Sequence, residues 1–265
     1  MLEKAIDIAK EAGGLLMKYQ QGNFAVDKKN NNPNDLVTTA DFGSDILIRK
    51  LLQKEFPSDS ILSEENKAPV SDYSGRVWVV DPLDGTNLFS QHKEGFCVIV
   101  GLCKNGIPSL GIVYDPISHE LYYAEKGKGA YLEKGNIKKR IKASGIESIP
   151  NSRAILHQSY EGNMPYDKFT DSIKVKEKTS ECSAGIGIMK IACGEIEFYF
   201  DGHCMASKWD TCGGQVILEE AGGRITDLFG TALDYKQEQS RWERPFLASN
   251  GIIHKAVVNS IKTYA

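Results

Sequence analysis

One junction constrains this chain more than any other: Arg76-Val77-Trp78-Val79-Val80 runs directly into Asp81-Pro82-Leu83-Asp84-Gly85-Thr86. The β-branched and aromatic run predicts a buried strand over residues 76–80. An isolated Asp-Gly or Asp-Pro is an ordinary turn. Here, however, two carboxylates three residues apart leave the end of one strand, so both can face one ion. Oxygen-only ligands suit a hard cation such as Mg2+, which binds through carboxylates together with a substrate phosphate. Gly85 and Thr86 then open a short helix, whose free backbone N–H groups offer a seat for phosphate beside the metal.

Two further acidic sites can complete such a cage. Ser63-Glu64-Glu65 ends the Ile61-Leu62 run, and Lys208-Trp209-Asp210 opens a helix over residues 210–221. Taken alone, the first is a solvated loop and the second a helix cap. With the aspartate motif they form a set.

Around these motifs the chain changes character once. Leu2, Ala5, Ile6, Ala9, Ala12, Leu16 and Tyr19 recur at three- and four-residue steps, predicting a first helix that stops at Gly22. A polar loop over residues 28–34 follows. Thr38 or Thr39 then caps a second helix carrying Ile46, Leu47, Leu51 and Leu52 and ended by Pro57. Strands are predicted at 96–102, 109–114 and 120–124, punctuated by Asn105-Gly106 and Asp115-Pro116. This half reads as an antiparallel meander packed by the two early helices. Beyond residue 145 strands and helices alternate: strands at 153–156 and 196–200, helices at 166–173, 186–192, 210–221 and 251–264. The expected domains are therefore 1–145, an α+β half bearing the metal motifs, and 146–265, an α/β half completing the site and substrate pocket.

Composition narrows the field. With 35 acidic and 32 basic residues in 265, the net charge of −3 argues against a protein built to grip nucleic acid. Lys126, Lys128, Lys134, Lys138, Lys139, Arg140 and Lys142 are expected to decorate a solvated hairpin and linker. The six cysteines show no C-x-x-C pair, so buried reduced thiols are expected. Lys4, Asp7, Lys10 and Glu11 interrupt any secretory h-region, and the longest apolar run, residues 96–103, is far short of the roughly 20 residues a membrane helix needs. A soluble cytoplasmic protein without a membrane partner is expected.

Glu64-Glu65, the hexapeptide from Asp81 to Thr86, and Trp209-Asp210 followed by Glu220-Ala221-Gly222-Gly223 occur here in that order. Gly111-Ile112-Val113-Tyr114-Asp115-Pro116 and Gly127-Lys128-Gly129-Ala130 stand between them. In these motifs the sequence resembles the magnesium-dependent, lithium-sensitive inositol monophosphatase family, which includes bisphosphate nucleotidases, fructose-bisphosphatase-like enzymes and histidinol phosphatases. The resemblance implies a layered αβαβα sandwich of α/β (α+β) class, a sugar-phosphatase-like fold. It implies two to three Mg2+ ions per site. Glu64, Asp81 and the carbonyl of Leu83 would hold the first, and Asp81, Asp84 and Asp210 the second. A third, weaker ion would lean on Glu64. Asp41 would hydrogen-bond Thr86, and that pair would orient a metal-activated water, making Asp41, Thr86 and Glu64 the catalytic groups. Gly85 and Thr86 would face the phosphate. A homodimer is also implied, and nucleic acid is not an expected partner.

For substrate, the resemblance places Ser183, Ala184 and Asp201, with Cys182 beside them, at the polyol contacts. It makes inositol monophosphate the leading small phosphorylated substrate. The alternatives are a 3'(2'),5'-bisphosphate nucleotide or fructose 1,6-bisphosphate; more remotely, the chain would be a regulatory or RNA-associated binding protein with incidental catalysis. Two departures bear on this choice. Asn87-Leu88-Phe89 follows Thr86 where inositol phosphatases usually have Thr-Asn-Phe and nucleotidases Lys-Glu-Phe. The loop from Asp201 to Trp209 is about two residues longer than in inositol phosphatases, and its His203 is expected at the pocket rim.

Overall fold

The computed structural model describes residues 1–29, 32, 34–66, 70, 72–160, 162–179 and 182–264. Asn30, Asn31 and Pro33 of the expected polar loop lie outside the described residues. Helix α1 (Leu2–Gln21) buries the face formed by Ala5, Ile8, Ala9, Ala12 and Leu16. The flanks of the polar loop pair as a short antiparallel ribbon, β1 (Val26–Lys28) with β2 (Leu36–Thr38), where no strand was expected. Thr38 caps α2 (Thr39–Glu55), with Asp41 at the third helical position returning a carboxylate to the Thr38 backbone.

The first half then builds a seven-stranded sheet: β3 (Ser60–Ser63), β4 (Arg76–Asp84), β5 (Cys97–Lys104), β6 (Ile107–Asp115), β7 (Glu120–Glu125), β8 (Ala130–Lys134) and β9 (Ile137–Arg140). These lie in chain order; β3 is parallel to β4 and every later pairing is antiparallel. A five-residue helix, α3 (Thr86–Ser90), leaves the end of β4. The basic run forms the β8–β9 hairpin and its flanks. Lys134 pairs with Glu120 and Lys128 with Glu125, and Lys138 lies over the rings of Tyr123 and Tyr131.

The second half supplies β10 (Arg153–His157), α4 (Asp167–Ser172), β11 (Glu177–Thr179), α5 (Ala184–Ala192), β12 (Phe198–Asp201), α6 (Lys208–Glu220), β13 (Arg224–Asp227), β14 (Phe246–Ser249) and α7 (His254–Lys262). Its five strands lie in the order β11-β10-β12-β14-β13, with the first three parallel and the last two pairings antiparallel. β11, β13 and β14 were not expected. Each has only three or four residues, too few for an alternating pattern to declare itself.

Side-chain alternation sorts the core into slabs. On β5, Val98, Val100 and Leu102 face α1 and α2, whereas Cys97 and Ile99 face α5 and α6. On β12, Tyr199 faces that same middle helical layer, and Phe198 and Phe200 face α4 and α7. The layers run α1/α2, seven-stranded sheet, α5/α6, five-stranded sheet, α4/α7. This is the expected αβαβα sandwich. The sheet changes between β9 and β10, yet α5 and α6 pack on both sheets.

Glycines let α6 lie directly on the first sheet. Gly101 and Gly111 are cross-strand partners on β5 and β6. A Cβ at Gly111 would stand 2.0 Å from the Gly213 carbonyl oxygen, and one at Gly101 would stand 2.5 Å from Cys212 Sγ. The far end of α6 is tied down as well, because the Glu220 carboxylate accepts the backbone N–H groups of Gly127 and Gly129, each at 2.7 Å. The Gly127-Lys128-Gly129-Ala130 and Glu220-Ala221-Gly222-Gly223 motifs thus meet each other rather than a ligand. Because the obstruction at Gly111 is backbone, Gly111→Ala must push α6 off the sheet. The expected loss is about 1–3 kcal/mol of stability, read by thermal or urea unfolding, with weakened Mg2+ binding by calorimetry. A variant that melts and titrates like the parent overturns this account.

Candidate active site

The expected strand over residues 76–80 continues through Asp84, and its irregularity builds the site. Val77, Val79 and Asp81 share one face of β4. Strict alternation would send Asp84 to the other. Instead the register slips: Asp81 pairs with Ile99 and Asp84 with Cys97, three steps along β4 against two along β5. This β-bulge returns Asp84 to the face of Asp81, toward α5 and α6. There Asp210, at the third position of α6, joins them, and carboxylate oxygens of Asp81, Asp84 and Asp210 all lie within 4.8 Å of one another.

Each carboxylate is anchored by the backbone. Asp81 accepts the Leu83 N–H at 3.0 Å. Asp84 Oδ2 accepts the Gly185 N–H from the first turn of α5 at 2.6 Å, with the Cys97 thiol donating at 3.4 Å. Asp210 accepts the Ser207 N–H. Gly185 escaped the sequence reading. Its signal was its small size, since a Cβ there would stand 2.8 Å from Asp84 Oδ2.

Burial, reinforced by Glu64, Asp84 and Asp210, pushes Asp81 well above the usual carboxylate range. Burial and then Asp84 and Glu64 do the same to Asp210. Burial lifts Asp84 to about 6 against the hydrogen bonds from Gly185, Ser183 and Cys97. The groups bonded to these three acids are neutral. A largely buried, all-oxygen, mutually repelling donor set is what a hard divalent cation neutralises, so the residues present fit the ions that the sequence implies.

Asp41 and Thr86 meet as expected. Asp41 is fully buried; its Oδ2 accepts the Thr38 N–H at 2.7 Å and the Thr38 hydroxyl at 2.6 Å, and its Oδ1 faces the Thr86 hydroxyl at 2.9 Å. The Leu83 carbonyl lies 3.1 Å from the same hydroxyl. Burial raises Asp41 to about 6. Gly85, with φ of +94°, turns the chain from β4 into α3.

Glu64 lines the same pocket, but its carboxylate is engaged by Lys29, which the sequence reading did not single out. The Lys29 ammonium donates to Glu64 at 2.7 Å and to Glu65 at 2.6 Å. Burial works to lower its pKa, and the two glutamates outweigh it, leaving the ammonium firmly charged. Glu64 thus acts electrostatically on Asp81, Asp84 and Asp210 while already carrying a cation of the protein's own.

The pocket holds about 220 Å³. It is lined by Glu64, Asp84, Gly85, Thr86, Asp210, Cys182, Ser183, Ala184, Asp201 and His203, with His157, Tyr160 and Tyr199, and Ser183 packs against Gly85 and hydrogen-bonds Asp84. Ser183 caps α5 and Ala184 is its first residue. Asp201 Oδ2 is buried without a hydrogen-bond partner, and burial lifts the carboxyl to about 7. The cysteines take no part beyond Cys97 and Cys182; all six are free. Among the described residues no helix is long and apolar enough to cross a membrane.

Comparisons with known proteins give the family and the fold. The profile of the inositol monophosphatase family matches residues 1–263. Inositol monophosphatase 1 of Solanum lycopersicum is 33% identical over 253 residues, covering 92% of this chain and 90% of the relative. The 3'(2'),5'-bisphosphate nucleotidase CysQ of Salmonella typhimurium is 29% identical over 244 residues, covering 91% and 96%. The solved structure of a Thermotoga maritima IMPase superposes with a TM-score of 0.84 at 26% identity, over 99% of this chain and 97% of that one.

Proposed function

Because the chain belongs to the inositol monophosphatase family and is a phosphatase of phosphate monoesters, we propose that it hydrolyses a small polyol phosphate, inositol monophosphate foremost. The observation that carries this reading is the close triad of buried Asp81 and Asp84 with half-buried Asp210, beside a pocket that also offers the unpartnered Asp201 carboxylate oxygen. Asp81, Asp84 and Asp210, with Glu64 and the Leu83 carbonyl, would hold two to three Mg2+ ions. Bound there, such ions neutralise phosphate charge, lower the pKa of an attacking water and stabilise the departing alkoxide.

The protein's own groups do the positioning that dominates phosphoryl transfer. Thr86 donates its hydroxyl hydrogen to Asp41, leaving oxygen lone pairs to accept from the attacking water and aim it. Asp41 is held by Thr38 and stands ready to take the proton relayed through that hydroxyl. Gly85 and Thr86 face the phosphate at the opening of α3. Ser183 and Ala184 border the leaving group, and Asp201 accepts a hydroxyl hydrogen from it. A cytoplasmic homodimer inhibited by lithium completes the proposal, on the resemblance described above.

A phosphate-release panel in Mg2+ tests it, with inositol 1-phosphate, adenosine 3',5'-bisphosphate, fructose 1,6-bisphosphate and histidinol phosphate compared by kcat/KM. Inositol phosphate should lead, activity should vanish on chelation, and lithium should inhibit at submillimolar to millimolar concentration. A preference for the nucleotide or fructose bisphosphate overturns the substrate assignment. Activity that survives chelation overturns the role of the ions.

A further inference from the structure

The leaving-group end of the pocket is walled by three stacked rings. The His203 ring lies between Tyr160, at 4.3 Å between centroids and 9° between planes, and His157, at 4.4 Å and 13°. His157 is the fixed member: it ends β10, is buried, and lies 3.1 Å from the Tyr199 hydroxyl. His203 comes from the loop after β12. Its neighbour Cys204 holds a left-handed φ of +54°, a conformation that costs a non-glycine residue about 1 kcal/mol or more.

Behind this wall lies a second cavity of about 550 Å³, lined by Gln158, Ser159, Thr170, Lys178 and Thr179. His157, Tyr160 and His203 line both cavities. The stack is therefore a partition one ring thick at its centre. Donor atoms of His157, Asp201 and His203 also lie within 4.8 Å of one another. The two imidazoles, however, are nearly parallel, so their in-plane nitrogen lone pairs run side by side instead of converging on one ion.

We propose that His203 is a specificity-determining residue: its ring fills the slot between Tyr160 and His157, closing the pocket to planar leaving groups and leaving room for a compact polyol. This rests on the phosphatase reading above. Removing the ring opens a gap the thickness of one aromatic ring between two aromatic faces and joins the two cavities, the arrangement that receives a nucleobase.

The experiment compares the parent with His203→Ala, His203→Ser and His203→Phe, using inositol 1-phosphate and adenosine 2'-monophosphate in Mg2+. The Ala and Ser variants should raise kcat/KM for the nucleotide relative to the inositol phosphate by about tenfold or more. The Phe variant, which restores a ring to the slot, should keep the parental ratio. A ratio that stays within about twofold in both opened variants, or that shifts equally in His203→Phe, overturns the proposal. Adenosine binding to metal-free protein is measured in parallel by calorimetry. Binding gained by the opened variants alone supports the partition, and equal binding or none in all four proteins overturns it. Absence of phosphate release from every protein would reject the phosphatase reading, while the adenosine titration still decides the role of His203.

Discussion

Asp84→Asn is expected to lower Mg2+-dependent phosphate release by at least about a thousandfold, several kcal/mol of lost charge stabilisation, while the protein stays folded. The substitution is nearly isosteric. Its amide oxygen can still accept the Gly185 N–H that Asp84 accepts at 2.6 Å, so α5 keeps its anchor on β4. What disappears is one negative charge from a cluster whose members repel one another. The same change should therefore make the metal-free protein more stable at neutral pH, a gain that simple damage to the fold cannot produce. Phosphate release and thermal unfolding on one preparation check both halves. Near-normal turnover would sink the metal assignment, and a lowered melting point without metal would sink the account of repulsion.

The second expected result concerns pH. Asp84 and Asp41 are each lifted by burial to about 6, and burial also raises Asp81 and Asp210 well above the usual carboxylate range. A carboxyl whose folded pKa is raised favours the folded state when protonated. Its stabilising contribution is complete below its unfolded pKa near 4 and is lost as pH rises through the folded value. Metal-free protein should accordingly lose stability between pH 4 and about 7, on the order of a few kcal/mol. On the proposed assignment Mg2+ would bind the ionised set and stabilise by mass action, so it should raise the melting temperature strongly at pH 7.5 and little at pH 5. Calorimetric melts with chelator and with Mg2+ at several pH values measure this. A flat metal-free profile, or an equal Mg2+ effect at both ends, rules it out.

Much of this arrangement was legible in the sequence because chemistry demanded particular side chains at short spacing. Asp81, Asp84, Gly85 and Thr86 sit within six residues, and the strand that carries them announces itself through Val77, Trp78, Val79 and Val80. The order of layers was likewise readable from the resemblance. What escaped depends on residues distant in the chain. Gly185 reaches Asp84 from 101 positions away, and Lys29 reaches Glu64 across 35; neither lies in a run that marks it. Gly101, Gly111 and Gly213 read individually as strand or helix weaknesses, and only their convergence shows that α6 needs bare backbone beneath it. The stack of Tyr160, His203 and His157 draws on two loops and a strand end. Only His203 was singled out, and only as a rim residue.

The bulge in β4 has a consequence that can be put as a matter of parity. Along a regular strand, residues an odd number apart face opposite ways, so acids at 81 and 84 would be separated by the thickness of the sheet. One surplus residue on β4 changes odd to even and gathers both on one side. Remove Pro82 or Leu83 and the spacing becomes two. If the bulge persisted, Asp84 would turn toward the apolar slab of Trp78, Val80 and Val98 beneath α1 and α2, where burying a carboxylate is costly. If the bulge closed, the acids would stay together, but the turn that presents Gly85 and Thr86 would be drawn one residue back into the sheet. The spacing and the irregularity are thus a single inherited unit. A shift of one position in either is tolerable only with a matching shift in the other.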